Sequence, residues 1–436
     1  MTKSRNIVPI IMMIFLFGMI SFVTNLASPM GDILKHQFTV ANWVGALGVF
    51  ANFIAYAVMG IPAGIMLDRW GYKRTALAAI AVGLLGVGIQ TFSGSIGNSS
   101  AMIVYLLGAF VAGFSMCMLN TVVNPMLNNL GGGGNRGNQL IQIGGSFNSL
   151  AGTSVIIITG ILIPNITQAR ISDVLPLMYT ALGIFALAFI VIAIAKIPEK
   201  AYVAKGIAET GERSKYSALS FRHFVLGAVA VFIYVGIEVG IPNVLNKWLQ
   251  NDTGVMKMFT GGTPEAIAAS VAGTYWFLML IGRLTGAIIA RKVSAKKMLI
   301  GVSTLGLLLV FLAMFLSPSI AVNMPVFKGG GGSLFGFTQV PINAALLVLC
   351  GLCTSVMWGG IFNLAVEGLG KFTEKASGYF MVFVCGGGIL PLLQNGIVDI
   401  SGSYLVSYWV VVAGLVYLLY YALAGSKNVN KDIPVK

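Results

Sequence analysis

Across 436 residues, 57% are hydrophobic and 9% are charged, where soluble globular proteins carry roughly 25% charged residues. This balance excludes a soluble domain and puts the chain in a lipid bilayer, where a spanning helix takes about 20 mostly apolar residues because its backbone groups have no water to pair with. A net charge of +14 would point to nucleic acid in a soluble protein; in a membrane protein it reports topology, and nucleic acid is not an expected partner.

Twelve spanning helices are predicted, at residues 7–30, 41–67, 75–93, 101–128, 138–163, 174–196, 223–246, 265–290, 298–317, 341–366, 376–399 and 403–424. The expected fold is an all-α membrane protein, its first helix read as a retained span rather than a cleaved leader. The polar stretch "PEKAYVAKGIAETGERSKYSALSFR" is the one long connection. It divides the chain into a six-helix bundle at 1–197, a linker at 198–222 and a second six-helix bundle with a short tail at 223–436. Lys35, Arg170, Lys247, Lys257 and Lys328 fall on one side; a much larger set, with Lys73, Arg74, Arg136, Arg291, Lys292 and Lys375 among them, falls on the other. An even helix count and this bias place both termini in the cytoplasm.

A weak internal repeat supports the division. "GIPAGIMLDRWGYKRTAL" from Gly60 and "GRLTGAIIARKVSAKKML" from Gly282 share glycines four apart, then an Arg, then a basic pair. Paired halves with a site between them suit an alternating-access transporter. In the first copy, Gly64 and Gly71 allow close helix approach and a tight turn, while Asp68, Arg69 and Arg74 can latch one face by charge pairs. The pattern G-x-x-x-D-R-x-G-x-K/R-K/R resembles the signature loop of the major facilitator superfamily. Asp68 is replaced in the second copy by Ala290, so the latch is asymmetric.

Glu238 stands alone in the apolar run "VFIYVGIEVGIPNVL". An ionised acid at a helix centre costs about 2.5–3.5 kcal/mol on insertion scales, so it should face a cavity and have a role. Three roles compete: accepting hydrogen bonds from substrate hydroxyls, binding a coupling ion, or bridging helices as a protonated structural acid. The helices also supply Asn120, Asn124, Gln142, Asn148, Asn243, Trp358, Asn363 and Gln394. Amides that bond hydroxyls in pairs and aromatic faces that stack on rings are what a sugar site needs; each amide has the alternative role of glue between helices. Trp276 and Trp409 are read as packing or interfacial aromatics.

Several stretches together resemble the fucose-galactose proton symporter family: "GDILKHQF", "LNTVVNPMLNNLG", "SFNSL", "YVGIEVGI", "IGRLTG" and "IFNLAVEGLGKFTEKASGYFMVFVCGGGILPLLQ". The resemblance spans nearly the whole chain. It implies a bacterial inner-membrane importer of a monosaccharide, driven by protons, with sodium as the alternative coupling ion, no other cofactor, and a monomeric state. By the same resemblance Asp32 matches the family's coupling acid and Asn148 a polar residue of the sugar site. Two positions depart: Asn120 stands where the fucose transporter has a Glu, and Gly145 where the family often has a Gln, with Gln142 one turn earlier. His36, one turn after Asp32, either relays protons to it or simply meets water.

Other readings are weaker. "CGLC" at Cys350 and Cys353 is taken as helix packing rather than redox chemistry, and the glycine runs at Gly131 and Gly329 as connectors, since no G-K-[ST] follows them. With only His36 and His223, no metal-ligand spacing or hydrolase triad appears, and an enzyme is not expected. An exporter of the same superfamily is disfavoured because the fifth helix lacks a G-P-x-x-G-G element. A sensor would be expected to append an output domain, and an uncoupled sugar facilitator stays open.

Overall fold

The computed structural model describes residues 7–39, 47–96, 99–163, 168–199, 216–259, 264–327 and 335–435. Within these, ten helical stretches are long and apolar enough to cross a membrane. One of them, Phe50–Ser93, is two spans in series, and the more polar helix Gly134–Leu162 supplies a further span.

The first span is Ile7–Phe38. The second and third form one element, Leu47–Ser93, broken only at Gly71, whose φ of 80° and ψ of −178° turn the chain back through the membrane. Glycine reaches that backbone conformation without Cβ strain. The next four spans are Ser100–Leu130, Gly134–Leu162, Leu175–Ile194 and Arg222–Asn251. The eighth is Pro264–Ile289 and the ninth Ala295–Phe315. The tenth is broken into Ile342–Thr354 and Met357–Ala365, the eleventh into Thr373–Val382 and Gly386–Ser401, and Trp409–Tyr420 is the twelfth. Most of the predicted linker falls outside the described residues.

Pro62, Pro125, Pro242 and Pro391 sit inside helices, where neighbouring spans can satisfy the carbonyls they free. The turn after the fourth span runs through Gly132, Gly133 and Gly134, all with positive φ, which explains that glycine run; the run at Gly329 lies outside the described residues. All four cysteines are free thiols, three of them buried in spans.

One departure from an all-α reading is an antiparallel hairpin between the ninth and tenth spans, β1 (Ala321–Phe327) and β2 (Phe335–Pro341), with Asn323 opposite Gln339. Its inward face carries Met324, Val326, Thr338 and Val340, the alternation of a half-buried strand. Phe327 anchors it to the eighth span by stacking on Phe277 at 5.1 Å and by donating its amide to Thr274 Oγ1 at 2.8 Å. The alternation is short and set between long apolar runs, so helical periodicity masks it.

The two halves touch backbone to backbone where the second span meets the eleventh. A Cβ added at Gly64 would lie 2.9 Å from Gly378 Cα. This contact is on the membrane face that carries Arg69, Lys73, Arg74, Lys371 and Lys375, termed the basic face below. Replacing Gly64 by Val should therefore force the halves apart there, at a cost of about 1–3 kcal/mol by overpacking. A lowered thermal-unfolding midpoint together with faster amide exchange at residues 373–382 would be the expected result; wild-type values would contradict the contact.

Candidate functional site

Helical spacing brings side chains from eight spans, the eleventh through Val384, around a central cavity of about 220 Å³. Phe17, Ser21 and Asn25 recur every four residues and so share one face of the first span. Tyr56 enters from the second span, Asn120 from the fourth, Gln142 and Asn148 from the fifth, Glu238 from the seventh, Trp276 and Arg283 from the eighth, and Trp358 from the tenth.

At its centre is an ion pair. Arg283 Nη2 lies 3.2 Å from Glu238 Oε1, with side-chain exposures of 11% and 13%. Arg283 Nη1 donates toward Gly145 O at 3.1 Å, Asn148 Oδ1 at 3.2 Å and Ser149 Oγ at 2.7 Å, and Nε toward Ser355 O at 3.3 Å. Gly282 permits this placement, since a Cβ there would meet Ser355 Cβ at 2.7 Å. Tyr234, buried one turn before Glu238, lies beside both ends of the pair. Two charges brought this far out of water stay only if each is paired and hydrogen-bonded.

The amides fall into two groups. Asn120 donates to Tyr56 Oη at 2.7 Å, Gln142 to Val356 O at 2.8 Å and Asn148 to Phe17 O at 3.0 Å, and all three also line the cavity. Asn124 lies behind the wall, where its Oδ1 accepts the Trp358 indole N–H at 3.0 Å. Trp358 is further held by Tyr234 and Phe380, at ring separations of 6.3 and 5.9 Å.

Other predicted residues lie away from the cavity. Asn363 donates to Asn128 Oδ1 at 2.8 Å and Gly134 O at 3.2 Å, joining the halves near the basic face. Asn243 accepts from Asn395 at 3.3 Å in an exposed cluster, and Gln394 is buried against Gly240. Asp32 belongs to the first span, but its side chain, like that of His36, lies outside the described residues. Trp276, read from sequence as packing, lines the cavity and meets Tyr275 edge-on at 5.4 Å; Trp409 is half exposed and packs on Phe311 and Phe315. Arg283 was missed because it lies near the basic end of its span. An arginine six residues inside an apolar helix, in a chain with a lone intramembrane acid, was the available signal.

Among the described residues, the bonds that join the halves gather at the cavity and on its basic side. Lys375 Nζ pairs with Asp68 Oδ2 at 3.1 Å, and Glu374 Oε1 accepts the Tyr72 hydroxyl at 3.0 Å. Ser377 donates to Thr121 O at 3.0 Å. The Glu199 carboxylate accepts the Tyr72 and Lys73 amides, both at 2.7 Å, capping the start of the third span beyond Gly71. Burial raises the Glu199 carboxyl above the usual carboxylate range, against the lowering effect of those two amides. Arg69 and Arg74 are exposed on the same face. The segment after the last span braces this region: Val435 O accepts the Lys371 amide at 3.0 Å, and Asn430 Oδ1 the Arg222 amide at 3.0 Å.

Twelve spans in two bundles around a polar, charge-bearing cavity, sealed toward one face, define a membrane transporter rather than an enzyme. The chain matches the Major Facilitator Superfamily over residues 10–392 and belongs to that family. It is 27% identical to a glucose/galactose transporter of Brucella abortus, over 95% of this chain and 93% of that one. It is 23% identical to the L-fucose-proton symporter of Escherichia coli, over 92% and 89%. Its fold is similar to the crystal structure of FucP, a Major Facilitator Superfamily transporter in the outward conformation, with a TM-score of 0.78, 20% identity, and coverage of 97% and 99%.

Removing one partner of a buried pair leaves an uncompensated charge, so Glu238→Ala or Arg283→Ala alone should each cost about 3 kcal/mol of stability. The double variant should lose clearly less than the sum. Thermal unfolding in lipid measures all three, and additive losses would contradict a direct pair.

Proposed function

We propose that this protein imports a monosaccharide by symport with a cation, the proton being the coupling ion, and that the two bundles, 1–197 and 223–436, rock about the central cavity. The observation that carries this reading is the composition of that cavity. Asn120, Gln142 and Asn148 offer amide groups, Glu238 and Arg283 offer charge-assisted hydrogen bonding, and the indoles of Trp358 and Trp276 offer apolar ring faces. A pyranose presents hydroxyls around its edge and C–H groups on its faces, so it meets both kinds of surface. The printed functions of the relatives, glucose/galactose transport and fucose-proton symport, agree with it.

Asp32 and Glu238 are the coupling acids in this proposal, and Asp68, Arg69, Gly71 and Arg74 belong to the gate. The positive-inside bias makes the basic face cytoplasmic, so the described state is closed toward the cytoplasm. Both termini are then inside, in the inner membrane of a bacterium, and the unit is a monomer. Driving force is adequate: one charge crossing about 100 mV releases about 2.3 kcal/mol, and about 1.4 kcal/mol is a factor of ten in concentration ratio.

Labelled glucose, galactose and fucose should accumulate in proteoliposomes under an inward proton gradient and equilibrate when a protonophore is added. Sodium, varied separately, should have no effect. Asp32→Asn should abolish accumulation while exchange of the sugar continues. Trp358→Ala should raise KM about tenfold, as for loss of about 1.4 kcal/mol of stacking. Equilibration without accumulation in wild type would identify a facilitator instead.

A further inference from the structure

We propose that Arg283 is a bolt between the two halves, held by Glu238 and withdrawn when a proton occupies that acid and substrate hydroxyls occupy the acceptors of the fifth span. The proposal rests on the transport reading and deepens it by naming the group through which ion and substrate are linked. Arg283 is thus a positioning residue for the rocking step.

The guanidinium is a planar fork with five N–H donors, and the structure engages it from three elements. On the first half, the fifth span offers three neutral acceptors to Nη1: Gly145 O, Asn148 Oδ1 and Ser149 Oγ. On the second half, Nη2 faces the Glu238 carboxylate and Nε the Ser355 carbonyl. At the basic face Asp68 pairs with Lys375 across the halves, and that lysine is 46% exposed. Arg283 therefore ties the halves at the depth of the cavity, where water screens it least.

Two events act on this one side chain from opposite ends. A proton on Glu238 cancels the one carboxylate that, among the described residues, pairs with the guanidinium, leaving a cation among neutral acceptors in a site with little water, which favours its withdrawal. A substrate hydroxyl that donates to Asn148 Oδ1 competes directly with Nη1, since Asn148, Glu238 and Arg283 line the same cavity. Either event alone leaves the Glu238 or the Asn148 contact in place; both together leave the fork only the neutral acceptors Gly145 O, Ser149 Oγ and Ser355 O, which do not compensate its charge. Coupling of this kind is reciprocal, so protonation should tighten substrate binding and substrate should favour protonation. Among the described residues, Arg283 and Tyr275 from the eighth span and Tyr234 from the seventh are the titratable or charged side chains facing Glu238. Lysine, with a single ammonium, can pair with Glu238 but cannot span all three elements at once.

The test uses the full chain in lipid nanodiscs. Amide exchange is followed at residues 134–142 and 356–365, on the basic side of the cavity, and corrected for intrinsic rate. Without sugar, wild-type exchange there should accelerate about tenfold from about pH 8 to about pH 5, as the equilibrium shifts toward opening. Glu238→Gln should exchange fast throughout, with the pH dependence lost. Arg283→Lys should also exchange fast throughout while unfolding at a temperature close to wild type. In parallel, D-galactose binding to wild type, read by the fluorescence of Trp358 and Trp276, should tighten as pH falls. Wild-type exchange that ignores pH, or Arg283→Lys exchange equal to wild type, overturns the bolt. If D-glucose, D-galactose and L-fucose all fail to bind while the exchange effects appear as expected, the sugar reading falls and the bolt stands.

Discussion

The Glu238–Arg283 pair is the constraint around which the interior is arranged. A carboxylate and a guanidinium in the middle of a membrane protein persist only when they neutralise each other and their remaining donors and acceptors are filled. The seventh and eighth spans satisfy the first condition at 3.2 Å. The carbonyls and side chains of the fifth and tenth spans satisfy the second. The arrangement that makes the charges tolerable also lines a cavity with polar groups drawn from both halves. Stability and binding chemistry thus come from the same set of atoms.

Closure toward the basic face is built differently. There the second and eleventh spans meet at Gly60, Gly64 and Gly378, close enough that added β-carbons would collide with backbone. Contacts of that kind hold two rigid surfaces together without long side chains and can be broken all at once. The Asp68–Lys375 pair lies at the rim with its lysine 46% exposed, whereas the Tyr72–Glu374 bond is buried. The asymmetry between the two copies of the signature loop has a physical counterpart. Where the first copy has Asp68 facing a lysine, the second has Ala290 packed with Met298 and Val356 in a small apolar cluster. One half carries the charged latch, and the other carries, eight residues after Gly282 began the repeat, a plain hydrophobic contact.

Reading the chain residue by residue recovered the span count and the turn at Gly71, and it named Glu238, Asn120, Gln142 and Asn148, which line the cavity. It misjudged side chains whose meaning depends on what stands opposite. Asn124 and Asn120 are one turn apart on the same helix, yet one faces the cavity and the other holds Trp358 from behind. Asn363, equally amide and equally buried, joins the halves outside the cavity. Trp276 and Trp409 look alike in sequence, and only the eighth span's orientation turns the former inward.

What the sequence determined by itself was everything set by solvent: hydrocarbon demands long apolar helices with internal hydrogen bonds, and basic residues sort to one side of them. Glycine at a sharp turn and an acid that must be shielded follow from the same local physics. Tertiary structure alone decided partnership. That Arg283 reaches Glu238, Asn148 and Ser355 together depends on the packing of the fifth, seventh, eighth and tenth spans, with Asn148 and Ser355 207 positions apart in the chain. No local pattern records such a meeting, because the energy of a buried charge depends on the geometry of its neighbours and not on their order in the sequence.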